Sequence, residues 1–311
     1  MAQQGTVPAV RSRKRATGSP PLVMVTAYDA PTARIADQGG VDLILVGDSL
    51  AMVVLGYDDT LHVTVEDMAH HVAAVRRAGP RALVVADLPW MSYHVDEADT
   101  VRNGAALVRA GAQAVKLEGG RRRARMVAAL ADAEIPVMGH LGLTPQSMHV
   151  MGGFTVQARE AEAARTLLAD ARALQEAGCF AIVLEGIPDV VAGMVTEAVE
   201  IPTVGIGAGP WCDGQVLVFH DLVGLEERKA PKFVRRYASL ADDASAAVTA
   251  FAADVRAGRF PADAESYHLK DEVAASLWSA AQPTSSAGAP DEVVSVGTSG
   301  GASSTAGRDP R

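Results

Sequence analysis

The stretch AVKLEGG at residues 114–120 shows the pattern that decides the fold, a short apolar run that ends in an acidic residue. The pattern occurs four times, at residues 43–48 (LILVGD), 82–87 (ALVVAD), 114–118 (AVKLE) and 181–185 (AIVLE). Runs without polar alternation are typical of parallel strands that are buried on both faces. Because α/β proteins place their chemistry at the carboxyl ends of such strands, the four acidic residues are predicted to meet at one end of a sheet.

Four more segments have strand character, and helical segments lie between most of the eight. The further strands are predicted at residues 22–27, 135–139, 201–206 and 216–220, and the helices at 30–38, 65–78, 96–110, 124–133, 160–177 and 189–199. This alternation predicts an α/β fold, a (β/α)8 TIM barrel. The connection AGPWCDGQ before the last strand is too short for a full helix, so either the last units are irregular or their boundaries are displaced.

The composition predicts one folded domain with two disordered ends. The chain has 311 residues, of which 49% are hydrophobic, enough for a large core. Residues 1–19 are expected to form a disordered arm, residues 20–281 a single barrel, and residues 282–311 a disordered tail rich in Ser, Gly, Ala and Thr. No linker rich in Pro, Gly or Ser divides the middle region.

Charge and hydropathy argue against two classes of partner. The net charge is −9, whereas a nucleic-acid binder usually has a broad basic surface, so the basic cluster Arg11, Arg13, Lys14 and Arg15 is interpreted as a solvated arm. No apolar stretch approaches the roughly 18 residues that span a bilayer, so no membrane partner is expected. The N-terminus lacks the apolar segment of a secretory signal, which makes a cytoplasmic location the expectation.

Three of the acidic residues have the chemistry of a metal site. Asp48, Asp87 and Glu118 end the second, third and fourth predicted strands, which are neighbours in a barrel. Three oxygen donors without His or Cys favour Mg²⁺, which completes its octahedron with water or substrate oxygens. The alternative for each residue is a cap on the turn or helix that follows its strand.

Lys116, Ser49 and Glu185 are candidates for contacts with a substrate. Lys116 alternates with Glu118, so both side chains are predicted to leave the same face of the fourth strand and enter the barrel mouth. Its ammonium suits the carboxylate of a small acid, but a Schiff-base lysine or a simple ion pair with Glu118 is also open. Ser49 either donates to the same anion or caps a turn. Glu185 lies across the barrel and suits a general base that abstracts a proton next to a carbonyl.

Two histidines and two cysteines have simpler interpretations. His70 and His71 are adjacent on a predicted helix and point about 100° apart, so they cannot share one metal ion. An exposed helix face is the favoured interpretation. Cys179 and Cys212 belong to no metal-binding motif and are expected to be reduced, structural thiols.

The chain resembles ketopantoate hydroxymethyltransferases over residues 23–262. The motifs that carry the resemblance include GDSLAMVVLGYDDT, TVEDMAHHVAAVRRA, VADLPWMSY, AGAQAVKLEGG, IPVMGHLGLTPQS and IPTVGIGAGPWCDGQVLVFHDLVGL, in the order of the family. The resemblance implies a barrel of the phosphoenolpyruvate mutase and isocitrate lyase type. It also implies a homodecamer that acts in pantothenate biosynthesis.

The resemblance further implies the substrates and the role of each site residue. Asp48, Asp87 and Glu118 would hold Mg²⁺, and Asp48, Ser49, Asp87 and Lys116 would contact the α-keto acid 3-methyl-2-oxobutanoate. Glu185 would accept the proton, and 5,10-methylenetetrahydrofolate would supply the one-carbon unit of the product, 2-dehydropantoate.

Some positions depart from the family pattern, and other functions compete. Trp90 and Trp211 stand where the family has other residues, and Trp211 either stacks on a pterin, blocks the mouth or packs structurally. A Schiff-base aldolase would use Lys116. A lyase of the isocitrate lyase type would need a cysteine in the loop after the fourth strand, which has none. A barrel without catalysis would make the four carboxylates structural.

Overall fold

Eight parallel strands close into a barrel in which β8 pairs with β1. The structure is a computed structural model that describes residues 5–14, 18–226 and 230–281. The strands are β1 (Leu22–Thr26), β2 (Leu43–Val46), β3 (Leu83–Asp87), β4 (Ala114–Glu118), β5 (Val137–Gly142), β6 (Ala181–Glu185), β7 (Thr203–Ile206) and β8 (Gly214–Leu217). The predicted (β/α)8 barrel is therefore confirmed, with its strands in chain order.

The helices follow the strands as the sequence pattern predicts. Each of the six predicted helices is present, and its ends lie within one residue of the expected ones. The helices in the described residues are α1 (Val7–Arg11), α2 (Ala30–Gln38), α3 (Leu50–Val53), α4 (Val65–Arg77), α5 (Glu97–Ala110), α6 (Ala124–Asp132), α7 (Met148–Met151), α8 (Ala161–Glu176), α9 (Asp189–Ala198), α10 (Phe219–Val223), α11 (Leu240–Arg256) and α12 (Asp271–Ala281).

The last barrel unit differs from the prediction at residues 216–220. Strand β8 ends at Leu217, and Phe219 already begins helix α10. The strand ends here because the backbone N–H of Phe219 donates to the side-chain Oγ1 of Thr26 on β1 at 2.9 Å instead of to a backbone carbonyl of that strand. No helix lies between β7 and β8, which agrees with the short connection in the sequence.

Alternate strand residues face the barrel interior, and this alternation points the functional side chains to one place. On β3, Leu83 and Val85 belong to the interior cluster, whereas Val84 and Ala86 pack outward against the helices. The next inward position, two residues after Val85, is the end of the strand. On β3, β4 and β6 the residue at this inward strand end is a carboxylate, namely Asp87, Glu118 and Glu185.

A glycine allows β5 and β6 to approach closely at this end. Gly142 has φ +93°, and an added Cβ would lie 2.2 Å from the carbonyl oxygen of Glu185. The same carbonyl accepts a hydrogen bond from the backbone N–H of Leu143 at 2.8 Å. A side chain at position 142 would push these two strand ends apart, so the backbone that carries Glu185 depends on this glycine.

Residues 5–14 of the amino-terminal arm are structured, whereas the sequence predicted disorder over residues 1–19. Thr6 accepts from the backbone N–H of Ala9 and begins α1, and Val10 is buried with the interior cluster of the barrel. Arg13 forms an ion pair with Asp42 at 3.1 Å. Sequence composition missed this segment because its few apolar and basic groups find their partners only on the folded barrel. Residues 1–4 and 15–17 lie outside the described part of the chain.

Lys14 completes the attachment of the arm. Its Nζ lies 2.9 Å from Asp213 Oδ2 and donates to the backbone carbonyl of Thr196 at 2.5 Å. Asp213 is fully buried and also accepts from the backbone N–H of Thr203 at 2.8 Å. The residue interpreted as part of a solvated basic cluster is therefore the partner of a buried carboxylate.

The contacts divide the chain into two compact units, Met1–Thr249 and Ala250–Arg311. The bounds predicted for the single barrel domain, residues 20–281, stay a prediction. In the second unit, Phe251 and Phe260 contact each other with ring centroids 5.1 Å apart. The predicted tail, residues 282–311, lies outside the described residues. None of the described helices is both long enough and apolar enough to cross a bilayer.

We expect Lys14→Met to lower the free energy of unfolding by about 3 kcal/mol, because it leaves the buried Asp213 carboxylate without its cation. The control Arg13→Met removes a half-exposed ion pair and should cost less than about 1 kcal/mol. Urea denaturation measures both values. An equal, small loss in the two variants would contradict the structural role of Lys14.

Candidate active site

The six residues that the sequence predicted as a site line one cavity at the carboxyl ends of the strands. The cavity has a volume of about 650 Å³, and its lining includes Asp48, Ser49, Asp87, Lys116, Glu118 and Glu185. Four of these residues are at most 5% exposed, namely Asp48, Asp87, Lys116 and Glu118. The side chain of Glu185 is 17% exposed and faces the open cavity. The structure therefore brings all six residues together.

Lys116 forms the central cation of the site. Its Nζ forms a buried ion pair with Asp87 Oδ1 at 2.8 Å. Burial alone would lower the pKa of Lys116, but the charges of Asp87, Glu118 and Asp48 outweigh burial and raise this pKa above its usual value. The ammonium is therefore charged at neutral pH and available to an anionic substrate.

Asp48 and Asp87 lie side by side at the ends of β2 and β3. The backbone N–H of Asp48 donates to Asp87 Oδ2 at 3.1 Å, which ties the two strand ends together. Burial, and then the negative charges of Asp87 and Glu118, raise the pKa of Asp48 well above its usual value. The cluster consequently holds more negative charge than its own cations neutralise.

His140 on β5 is a site residue that the sequence analysis missed. It is 3% exposed, and its Nε2 lies 3.1 Å from Glu185 Oε2 while its Nδ1 lies 3.4 Å from Glu118 Oε1. Burial and the charge of Lys116 would lower the pKa of His140, but its contacts with Glu118 and Glu185 raise it to about 9. A charged imidazolium thus joins the arc of carboxylates to Glu185.

The sequence did contain a signal for His140. It falls two residues after Met138 on β5, and Met138 belongs to the interior cluster. The register pairs His140 with Glu118 on the neighbouring strand. A search for polar residues at inward strand ends, instead of acidic residues alone, would have found it.

Ser49 faces Tyr28, which is a second site residue without a sequence signal. The two hydroxyl oxygens lie 2.8 Å apart, and Tyr28 is 1% exposed. The Tyr28 carbonyl oxygen lies 2.6 Å from His71 Nδ1. His71 is thereby part of the packing around β1, so the two adjacent histidines contribute no ligand to the cavity.

Gln146 and Tyr93 lie behind the carboxylates, and the sequence analysis also missed them. Gln146 Nε2 donates to Asp48 Oδ2 at 2.8 Å, and its backbone N–H donates to Glu118 Oε2 at 3.0 Å. The Tyr93 hydroxyl donates to Gln146 Oε1 at 2.5 Å. Both residues belong to loops that follow inward strand ends, where strand periodicity gives no prediction.

The donor set partly fits the predicted Mg²⁺ site. Asp48, Asp87 and Glu118 are buried together, and the four carboxylates exceed the two cations Lys116 and His140 by two formal charges when all are ionised. Within the described residues no group of three or more His, Cys, Asp or Glu side chains surrounds one point as a complete metal site. Mg²⁺ often uses only one or two carboxylates, so Asp48 and Asp87 fit it, while the third ligand, Glu118, stays a prediction.

The tryptophans and cysteines that the sequence singled out do not line the cavity. Trp211 is 55% exposed and packs against α9, where it lies next to Gly193, so it does not block the mouth. Trp90 is 44% exposed in the loop after β3. Cys179 and Cys212 are buried thiols, and burial raises the pKa of both, which opposes nucleophilic reactivity.

We expect the metal-free protein to lose stability as the pH rises from about 6.5 to about 9, by up to about 3 kcal/mol, because the folded state holds the His140 proton more tightly than the unfolded state. This stability is complete below pH 6.5 and disappears as the imidazolium deprotonates. Burial lowers the pKa values of His94 and His220, so the protonation of these residues changes the stability only below this pH range. Urea denaturation in EDTA should show a steeper loss of stability over this pH range in wild type than in His140→Gln; equal slopes would contradict the assignment.

Comparisons with known proteins agree with the fold and identify the family. A solved structure of 2,3-dimethylmalate lyase, a phosphoenolpyruvate mutase/isocitrate lyase superfamily member, matches with a TM-score of 0.55 and 18% identity over 88% of this chain and 94% of its own. A structure of phosphonopyruvate hydrolase with oxalate and Mg²⁺ matches with a TM-score of 0.55 and 15% identity over 88% of this chain and 95% of its own. At this identity they support the fold alone.

Sequence comparison gives much stronger matches. A 3-methyl-2-oxobutanoate hydroxymethyltransferase of Koribacter versatilis is 54% identical over 83% of this chain and 88% of its own length. A second enzyme of this name, from Bradyrhizobium diazoefficiens, is 57% identical over 81% of this chain and 86% of its own length. The family model of ketopantoate hydroxymethyltransferase matches residues 5–263. The chain therefore belongs to the ketopantoate hydroxymethyltransferase family.

Proposed function

We propose that this enzyme transfers a hydroxymethyl group from 5,10-methylenetetrahydrofolate to 3-methyl-2-oxobutanoate and gives 2-dehydropantoate, a step of pantothenate biosynthesis. The observation that carries the proposal is a half-open cavity in which one accessible carboxylate, Glu185, faces a buried cluster of cations and carboxylates. The relatives at 54% and 57% identity have names that specify the same keto acid. A homodecameric, cytoplasmic enzyme is part of the proposal.

The buried end of the cavity suits the polar part of the keto acid. Asp48 and Asp87 would hold Mg²⁺, with Glu118 as the predicted third ligand, and Lys116 and Ser49 would contact the substrate carboxylate. The bound ion would supply Lewis-acid polarisation of the keto acid oxygens, which makes the C3–H more acidic. The raised pKa of Lys116 supports its role as a fixed positive charge.

Glu185 is the residue that would take the C3 proton. Its side chain is the most exposed of the four carboxylates, so it can reach a substrate bound over the buried cluster. His140 lies 3.1 Å from Glu185 Oε2 and supplies the neighbouring positive charge. A general base needs such a fixed partner within hydrogen-bond reach to hold its carboxylate in one orientation.

The remaining step forms the new carbon–carbon bond. C3 of the deprotonated keto acid bonds to the one-carbon unit, and the two C–N bonds of the folate methylene break. Water supplies the hydroxyl oxygen, and the C3 proton with the two water hydrogens ends on the two folate nitrogens and the new hydroxyl. The apolar outer wall of the cavity, which includes Met52, Val53, Phe154, Val156 and Phe233, suits the flat pterin ring.

Two competing functions are less consistent with the geometry. A Schiff-base aldolase needs a lysine with a lowered pKa, whereas the carboxylates around Lys116 raise its pKa. A lyase that depends on cysteine needs a thiol at the cavity, whereas Cys179 and Cys212 are buried and absent from its lining. The carboxylate cluster therefore favours metal-assisted enolisation.

We expect Glu185→Gln to slow solvent exchange of the C3 proton of 3-methyl-2-oxobutanoate by about 10²–10⁴-fold in the presence of Mg²⁺ and without folate, because the base is lost. NMR in deuterated water measures this exchange. Glu197→Gln, an exposed carboxylate on α9, is the matched control and should exchange like wild type. Normal exchange in Glu185→Gln would show that another group is the base.

Chelation separates the metal-assisted reaction from Schiff-base chemistry. We expect EDTA to abolish C3 exchange and Mg²⁺ to restore it, because the carboxylates act through the cation. Borohydride with pyruvate should attach no label to Lys116, as mass spectrometry of the digested protein would reveal. Labelling of Lys116 together with exchange that survives EDTA would favour the aldolase.

A further inference from the structure

Two buried polar side chains, Gln146 and Tyr93, have no part in the proposed chemistry but contact the residues that do. Gln146 is 6% exposed and lies in the single turn after β5, and Tyr93 is fully buried in the loop after β3. They come from different loops and meet at 2.5 Å between the Tyr93 hydroxyl and Gln146 Oε1. Neither residue lines the cavity, so neither touches a substrate directly.

The partners of Gln146 fix the orientation of its amide. Its Nε2 lies 2.8 Å from Asp48 Oδ2 and 3.0 Å from the carbonyl oxygen of Leu88. A carbonyl oxygen and a carboxylate can only accept, so the NH₂ group must face them and Oε1 must face Tyr93. The amide therefore cannot flip without placing oxygen against oxygen at both partners.

The partners of Tyr93 fix the direction of its hydroxyl in the same way. The backbone N–H of Glu118 donates to the Tyr93 oxygen at 3.2 Å. The hydroxyl proton is then directed to Gln146 Oε1, the acceptor on its other side. Every donor and acceptor in this chain of hydrogen bonds is satisfied, which gives the network one arrangement only.

The network ends on both carboxylates that lie on either side of Asp87. Gln146 donates to Asp48 Oδ2 through its side chain and to Glu118 Oε2 through its backbone N–H at 3.0 Å. One oxygen of each carboxylate is thus held from behind. Because neither carboxylate can then rotate freely, the remaining oxygens, Asp48 Oδ1 and Glu118 Oε1, also have defined directions.

We propose that Gln146 is a positioning residue for the cation site, and that Tyr93 acts through it by fixing the amide so that Asp48 and Glu118 present defined oxygens to a divalent cation. The inference rests on the proposed Mg²⁺ site. Partners behind metal ligands commonly set affinity in this way. Gln146 would contribute by geometry, while Asp48 remains the residue that contacts the ion.

The test measures cation affinity in the full-length protein without any substrate. Mn²⁺ serves as the probe, and electron paramagnetic resonance counts the free ion. We expect Gln146→Met, which keeps the length but removes the amide that donates to Asp48, to weaken Mn²⁺ binding about 10–100-fold. Tyr93→Phe should weaken it by a smaller factor, and the double variant should bind like Gln146→Met alone, because Tyr93 acts through Gln146.

Thr196→Val is the matched control for loss of a buried hydrogen bond. Its hydroxyl oxygen lies 2.7 Å from that of Thr203, away from the cavity. This variant should lower the melting temperature but leave Mn²⁺ affinity unchanged. If Gln146→Met does not fold, Tyr93→Phe decides the question, because it removes a single oxygen atom.

Two outcomes would overturn the inference, and they are distinguishable. The first outcome is a Mn²⁺ affinity of folded Gln146→Met within about twofold of wild type, which would show that the network only stabilises the loops. If Gln146→Met does not fold, the same result in Tyr93→Phe has this meaning. Absence of Mn²⁺ binding in wild type would remove the proposed metal site and the positioning role with it. Loss of affinity in the variants with normal binding in Thr196→Val supports the proposal.

Discussion

Closure of the parallel barrel is the constraint on which the rest of the structure depends. Because side chains alternate along a strand and the eight strands run in one direction, the last inward residue of each strand enters the same small volume. The register sets Asp87 beside Lys116 and Glu118 beside His140. Functional side chains that lie more than a hundred residues apart in the sequence are thereby brought together at one end of the barrel.

The electrostatic consequence is a cluster of buried charges that cannot be stable as carboxylates alone. Lys116 and His140 each interact with two or more carboxylates, and the raised pKa values of both cations show that attraction outweighs the cost of burial. Burial, and then the charges of Asp87 and Glu118, raise the pKa of Asp48, and the four carboxylates outnumber the two cations. A divalent cation between the carboxylates would offset this excess, which links the stability of the site to its proposed chemistry.

The opposite end of the barrel has a different role. There the amino-terminal arm places Lys14 against the buried Asp213, and no residue of the proposed reaction takes part. This separation agrees with the general division of such barrels into a catalytic face and a stabilising face. The arm, the helices and the interior cluster hold the strands in register, and the register in turn holds the site.

The sequence alone predicted the eight-stranded barrel, six of its helices and six residues that line the cavity, because buried parallel strands and amphipathic helices have periods that can be counted in one dimension. The tertiary structure decided what those residues touch. His140 was not predicted because only acidic strand ends were considered. Gln146, Tyr93 and Lys14 were not predicted because loops and arms have no periodicity. Their partners lie far away in the chain, Lys14 and Asp213 being the extreme case. Such hydrogen bonds and ion pairs are fixed by the closed barrel, which no local pattern of residues encodes.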